Sequence, residues 1–162
     1  MIRLDANEIV PGLFQGAQLP ASVRISPHER YVMKDGLIVK GFDVVVLCAK
    51  EIQPHISRGE IDANRVIHAP LDDGLLSDED QRCALWTTAR VVEELRKHRR
   101  VLVTCAMGLN RSGLICALVL CVGWGLPASE AIRRVRARRS QHALFNQCFV
   151  NFIEQTCATR AA

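Results

Sequence analysis

The sequence predicts an α/β fold: a mainly parallel central sheet flanked by helices, in a single domain spanning residues 1–162. Three observations carry this expectation. Asp43-Val44-Val45-Val46-Leu47-Cys48 and Val101-Leu102-Val103-Thr104 are short apolar, β-branched runs, the pattern of strands covered on both faces. Segments with helical spacing alternate with strands through the middle of the chain, as layered α/β folds require. The chain has 162 residues, 49% hydrophobic and 23% charged, which is one ordinary globular domain able to bury a core without staples.

The elements follow in order. Glu8 to Gly16 reads as two short strands around the Pro11-Gly12 turn. Residues 17–40 show no clear period. Within them, Tyr31 to Val39 reads either as a hairpin around Asp35-Gly36 or as part of a helix. Asp43–Cys48 is the central strand and Arg65–Leu71 a second one. Ser77 with Asp80 makes a capping-box-like helix start, and Asp78 and Glu79 suit the positive end of the helix dipole. Leu85, Ala89, Val92 and Leu95 recur at helical spacing, so this helix runs to about His98. Val101–Thr104 is a short buried strand. A second helix starts near Arg111 and ends about Gly123, broken by Gly125-Leu126-Pro127. Ser129–Arg138 and Asn146–Thr156 are two more helices.

Several classes drop out. The longest apolar run, Leu114 to Leu126, is too short to span a bilayer, so no membrane span is expected. Met1 to Glu8 has no apolar stretch of signal-peptide type, and the expectation is a cytoplasmic protein. The seven cysteines are Cys48, Cys83, Cys105, Cys116, Cys121, Cys148 and Cys157. Their number is odd, no CxxC pair occurs, and neither a disulfide framework nor a zinc site is expected. Most read as small buried hydrophobes. The net charge is +4. It is patterned in Lys97-His98-Arg99-Arg100 and in Arg133, Arg134, Arg136, Arg138 and Arg139. Such clusters either face anionic partners or are solvated helix faces and ends.

The chemistry concentrates in Val101-Leu102-Val103-Thr104-Cys105-Ala106-Met107-Gly108-Leu109-Asn110-Arg111-Ser112-Gly113. A Cys six residues before an Arg is weak on its own. Requiring Gly at the fourth position and Ser or Thr after the Arg lowers the chance expectation to about 0.003. Between a buried strand and a helix, such a loop can curl into a nest of N–H groups at a helix N-terminus, an anion site of phosphate size. Gly108 supplies the backbone freedom. The same field is expected to lower the thiol pKa of Cys105 and make it a nucleophile. Arg111 can fork two donors onto phosphoryl oxygens, and Ser112 can donate to the Cys105 sulfur. Ala106, Met107, Gly108, Leu109, Asn110 and Arg111 are thus the expected phosphate-binding residues.

Thr104-Cys105-Ala106-Met107-Gly108-Leu109-Asn110-Arg111-Ser112 resembles the His-Cys-x5-Arg-Ser/Thr signature of the cysteine-based protein tyrosine phosphatase superfamily, in its compact dual-specificity branch. Thr104 stands where His is usual. The opening strands and Gly41–Leu47 are similar to that branch as well. The resemblance implies a metal-independent phosphatase with no cofactor, a phosphocysteine intermediate and a phosphorylated substrate. That substrate is first a phosphoprotein bearing phosphotyrosine or phosphoserine/threonine, with a phosphoinositide or RNA as alternatives. It also implies an acid on the loop after the preceding strand. Ala69-Pro70-Leu71-Asp72-Asp73-Gly74 occupies that place, which makes Asp73 the general acid and Asp72 the alternative; turn-forming Asp before a glycine is the plainer reading of both. Asn110 is expected to brace the loop. Asn146 either does so from the last helix or simply caps it. Cys48 is either core packing or, as in some relatives, a reversible disulfide partner of the nucleophile. Asn before the Arg is also similar to the cysteine-dependent RNA 5′-triphosphatases. A phosphate-binding pseudophosphatase is the non-enzymatic alternative.

Overall fold

Twelve elements follow one another in the computed structural model, which describes residues 1–21, 23–52, 61, 63 and 65–161. They are β1 (Ile2–Arg3), β2 (Ala6–Val10), β3 (Leu13–Gly16), β4 (Arg30–Val32), β5 (Ile38–Lys40), β6 (Val44–Ala49), β7 (Arg65–Leu71), α1 (Asp78–Arg96), β8 (Val101–Thr104), α2 (Arg111–Trp124), α3 (Ala128–Arg138) and α4 (Gln147–Ala161). The central sheet has the order β2-β3-β8-β6-β7. Only the β2–β3 hairpin is antiparallel; β3–β8, β8–β6 and β6–β7 are parallel. The expected α/β architecture is therefore present.

The alternation of the central strands sorts the core into two clusters. Val44, Val46, Cys48, Val101 and Val103 face the helices and join Leu114, Leu118, Ile132 and Phe149. Val45, Leu47 and Leu102 face the other way, onto Phe14, Tyr31, Met33 and Phe42. All helical core residues lie in the first cluster, so the helices share one face of the sheet. The opposite face is covered by the segment without a readable period and by a small β1-β4-β5 sheet. In it the Asp35-Gly36 hairpin forms, not the helical alternative. Leu37 N–H donates to Asp35 Oδ1 at 3.1 Å, and Gly36 has φ +91°. Tyr31, fully buried, donates through its hydroxyl to Arg24 O and accepts from Ser26 N–H.

Local signals act where they are written. Ser77 and Asp80 form a reciprocal capping box at α1. Gly125 ends α2 in the left-handed conformation at φ +68°. The apolar run Leu114–Leu126 is mostly the buried α2, and among the described residues no helix is long and apolar enough to cross a membrane. Glu94, with its side chain 1% exposed, meets Arg65 at 2.9 Å and Arg99 at 2.6 Å, tying the end of α1 to β7.

Two expectations change. Cys121 and Cys157 are joined by a disulfide that links α2 to α4, with Cα atoms 6.2 Å apart. Their sequence separation of 36 hid this pairing, because only the packing of two helices brings them together. A cross-link closing a loop of that length typically contributes about 2–4 kcal/mol. The arginine clusters, in turn, are mostly solvated helix faces and ends, but several of their members also hydrogen-bond within the fold and Arg139 is buried. Arg136 donates to Ala143 O and Leu144 O, Arg138 to Glu8 O, Arg100 to Gly41 O, and Arg133 pairs with Glu130.

Candidate active site

Parallel strands β8, β6 and β7 end at one edge of the sheet, and the chain after each brings chemistry to that edge. β8 delivers Cys105, 4% exposed, directly before the loop that opens α2. Its Sγ lies 3.3 Å from Ser112 Oγ in the first turn of that helix. Thr104, where the motif usually has His, donates its hydroxyl to Val46 O at 3.1 Å and so ties β8 to β6.

The loop carbonyls are anchored outward, one after another. Ala106 O accepts from Gln18 N–H at 3.1 Å, and Leu109 O from Leu144 N–H at 3.1 Å. Gly108 O accepts from Gln15 Nε2 at 3.0 Å and from Arg139 Nε at 2.9 Å, and Met107 O from Arg139 Nη2 at 3.4 Å. In a trans peptide the C=O of one residue and the N–H of the next point in opposite directions. Carbonyls held outward therefore turn the N–H groups of residues 107–110 the other way, to the Cys105 side. Gly108, at φ +68°, completes the curl; a Cβ there would lie 2.6 Å from Ala17 N, Gly16 C and Arg139 Nη2.

Arg139 reads in the sequence as one charge of a solvated helix face, yet it is buried. Its Nη1 also donates to Asp5 Oδ1 at 2.8 Å and Asn7 Oδ1 at 3.0 Å. The hydrogen bond from Arg139 is the main reason the Asp5 carboxyl is held below its ordinary pKa.

Arg111 is buried at the start of α2, and its donors can be counted. Nη1 donates to Glu51 Oε2 at 2.6 Å and Leu71 O at 3.1 Å; Nη2 donates to Glu51 Oε1 at 2.7 Å. A guanidinium has five N–H donors. Three are spent along its end, and the two on its side edge, Nε–H and the second Nη2–H, are left. Nε is buried and has no partner among the described residues. The hydrogen bond to Glu51 raises the pKa of Arg111, and the same bond lowers that of Glu51. Sequence reading missed Glu51, two residues past β6.

The loop after β7 separates the two aspartates. A register shift in the β6–β7 pairing, at Ala69-Pro70 on an edge strand, bends β7 before it reaches them. Asp72 points to solvent, 3.6 Å from Lys50 Nζ. Asp73 is held by two amides: Asn110 Nδ2 donates to its Oδ2 and Asn146 Nδ2 to its Oδ1, both at 3.1 Å. Asn146 also donates to Gly74 O at 3.0 Å. Its own Oδ1 accepts from Cys148 N–H at 3.0 Å, so it both caps α4 and reaches the aspartate. Asn110 Oδ1 accepts from Asn146 N–H at 3.1 Å, closing a triangle.

Leu47 pairs with Thr104 across β6 and β8, which makes Cys48 the neighbour of Cys105 in the continuing register. Burial first, and the proximity of Cys105 second, push the Cys48 thiol well up. Cys116 is raised in the same way. Among the described residues no three His, Cys, Asp or Glu side chains gather as a metal ion would need.

The arrangement can hold a tetrahedral oxyanion between inward amides and the free edge of Arg111, over a sulfur. The model of the dual specificity phosphatase catalytic domain matches residues 27–157. The fold is similar to Tk-PTP in its active form (TM-score 0.71, 20% identity, 95% of this chain and 97% of that one). It is similar to human DUSP28 (TM-score 0.72, 18% identity, 97% and 95%) and to the human tyrosine phosphatase-like serine/threonine/tyrosine-interacting protein (TM-score 0.72, 21% identity, 99% and 100%). At these identities the likeness is one of fold. No curated protein matches the sequence.

Proposed function

This chain belongs to the dual specificity phosphatase catalytic-domain family, and from that membership and the geometry around Cys105 we propose that it hydrolyses phosphate monoesters, phosphotyrosine and/or phosphoserine/threonine, through a cysteinyl-phosphate. The donor count at Arg111 carries the reading. A buried guanidinium whose end is occupied by Glu51 and whose side edge is open is a fork prepared for two oxygens of one anion.

In the first step Cys105 Sγ attacks phosphorus, the phosphorus–oxygen bond to the leaving group breaks, and Asp73 gives that oxygen a proton. The N–H groups of residues 107–110 and the side edge of Arg111 hold the three equatorial oxygens as charge develops. In the second step Asp73 takes a proton from water, whose oxygen displaces sulfur and releases inorganic phosphate. Ser112 donates to the departing sulfur. A carboxyl held in place at Asp73 favours a monoester over a triphosphate. A γ-phosphoryl leaving group needs no general acid, whereas an alkoxide or aryloxide does.

The test is turnover without added metal, by wild type, Cys105→Ser and Arg111→Lys, of phosphotyrosine and phosphoserine peptides, a phosphoinositide and triphosphorylated RNA. Peptide turnover with acid-stable trapping of phosphate on Cys105 is the expected result. Arg111→Lys should be nearly as damaging as Arg111→Ala, because lysine lacks the planar fork. Residual Cys105→Ser activity within about tenfold of wild type, only some 1.4 kcal/mol, would overturn the nucleophile. Turnover of RNA alone would move the reading to a triphosphatase, and phosphate binding without turnover to a pseudophosphatase.

A further inference from the structure

We propose that the Cys121–Cys157 disulfide is a thiol–disulfide exchange site, opened by a small anionic thiol that enters the groove beside it. This goes beyond the phosphatase reading and does not depend on it.

The groove has a volume of about 320 Å³, and both cysteines stand in its wall. Val122, Leu126 and Pro127 give it apolar sides, and Gly125 turns the chain at the end of α2 so that no further helical turn covers the bond. Arg160 lines the same groove and supplies its charge. It sits three residues after Cys157 on α4, a spacing that places both on one side of the helix. Access separates this pair from Cys48 and Cys116. Cys48 and Cys116 are fully buried and their thiols are pushed up by that burial, which closes them to a thiol arriving from solvent. Cys157 is only partly buried, whereas Cys121 is 7% exposed, so Cys157 is the sulfur an incoming thiolate reaches.

The exchange balances with two equivalents of thiol. The entering thiolate bonds to Cys157 Sγ, the sulfur–sulfur bond breaks, and its electron pair leaves on Cys121, which takes a proton from solvent. A second thiolate attacks the sulfur of the bound small molecule. The small disulfide departs, and Cys157 leaves as a thiolate beside Arg160. Arg160 thus serves both the carboxylate of the entering thiol and the leaving sulfur.

The position gives the bond a consequence. α2 begins with Arg111 and Ser112, and α4 begins one residue after Asn146, which holds Asp73. The disulfide joins the far ends of the two helices whose near ends build the pocket. Opening it releases the last turns of α4.

The test places the folded, air-oxidised protein, in wild-type and Cys105→Ser backgrounds, in buffers of reduced glutathione. Alkylation and mass spectrometry then locate free thiols and adducts, with the cationic thiol cysteamine in parallel. The expected result is opening that accelerates with glutathione concentration, a transient adduct on Cys157, and a Tm lower by on the order of 5–10 °C. Arg160→Gln should slow opening by glutathione several-fold and leave cysteamine no slower. Cys157→Ser should melt like the reduced wild type. Opening at a rate independent of thiol concentration would mean that the bond is reached only by unfolding and would overturn the proposal. So would adducts confined to Cys48 or Cys116, an equal effect of Arg160→Gln on both thiols, or a Cys157→Ser protein that melts like the oxidised wild type.

Discussion

The two carboxylate oxygens of Glu51 lie 2.6 and 2.7 Å from the two terminal nitrogens of Arg111, end to end with the guanidinium. The pair fixes the plane of the arginine and leaves its side edge without a partner among the described residues. Glu51 is thus a positioning residue for the proposed phosphate fork. Glu51→Gln keeps the shape and one acceptor but loses the charge. Its kcat/KM should fall about tenfold to a hundredfold, the scale of a misplaced group, while a merely structural role would change Tm alone. The pH dependence has a definite sign. The Arg111 hydrogen bond lowers the Glu51 pKa from its ordinary 4.5, so the stabilisation is fully present above that value and is lost as pH falls through the lowered one. Melting of wild type and Glu51→Gln should therefore differ at pH 7 and converge under acid. A constant difference across that range would rule out the ion pair as its source.

Arg139 should matter to anion binding in spite of its distance from the sulfur. It donates to the carbonyls of Met107 and Gly108 and is anchored by Asp5 and Asn7. Arg139→Met leaves those carbonyls free to turn inward and the Asp5 carboxylate without its main partner. A stability loss of about 2 kcal/mol is expected from the lost charged hydrogen bonds. The discriminating readout is phosphate protection of Cys105 against alkylation. It should weaken strongly in Arg139→Met, with partial rescue in Arg139→Lys. Full protection at wild-type phosphate concentrations would reduce Arg139 to a packing residue.

Asp73→Asn should slow phosphates with basic leaving groups far more than those with acidic ones, by about 10²–10⁴-fold at the basic end. Asn146→Ala removes one of the two amides that hold Asp73 and should show the same leaving-group trend at smaller amplitude, with KM little changed. If Asp72→Asn shows the trend and Asp73→Asn does not, the solvent-facing aspartate paired to Lys50 is the proton donor instead.

These residues differ in how far the sequence discloses them. Cys105, Gly108, Arg111 and Ser112 are legible because strand, loop and helix that shape them are contiguous. The same holds for Ser77 with Asp80 and for the buried run at β6, whose alternating residues serve two clusters. Glu51 is not legible, since it looks like a solvated turn residue beside Lys50 and meets Arg111 only across the sheet edge. A buried cation demands a carboxylate, however, and β6 ends beside β8; that demand was the available signal. Arg139 lies in a run of charges whose members differ only in where the end of α3 points them. Residues 17–40 hide their order because their core, Ile25, Tyr31 and Met33, comes from irregular chain and short strands with no sustained period.

Oxidation tests the last pair of sulfurs. Peroxide converts Cys105 to a sulfenic acid, releasing water. Cys48 continues the register that pairs Leu47 with Thr104, and neighbouring strands lie about 4.8 Å apart, within the roughly 7 Å that a disulfide tolerates between Cα atoms. Its sulfur can then attack that of Cys105, form the disulfide and release water. Burial holds Cys48 as a thiol, so it is a slow partner, and reaction depends on adjacency rather than on nucleophilicity. Wild type treated with mild peroxide should lose activity and recover it with dithiothreitol. Cys48→Ser should recover less, because its sulfenic acid proceeds to irreversible oxides. Cys116 competes for the same role, as its thiol is also raised by burial and by Cys105. Peptide mapping that links Cys105 to Cys116, or equal recovery in Cys48→Ser, would return Cys48 to ordinary packing of the helix-facing core.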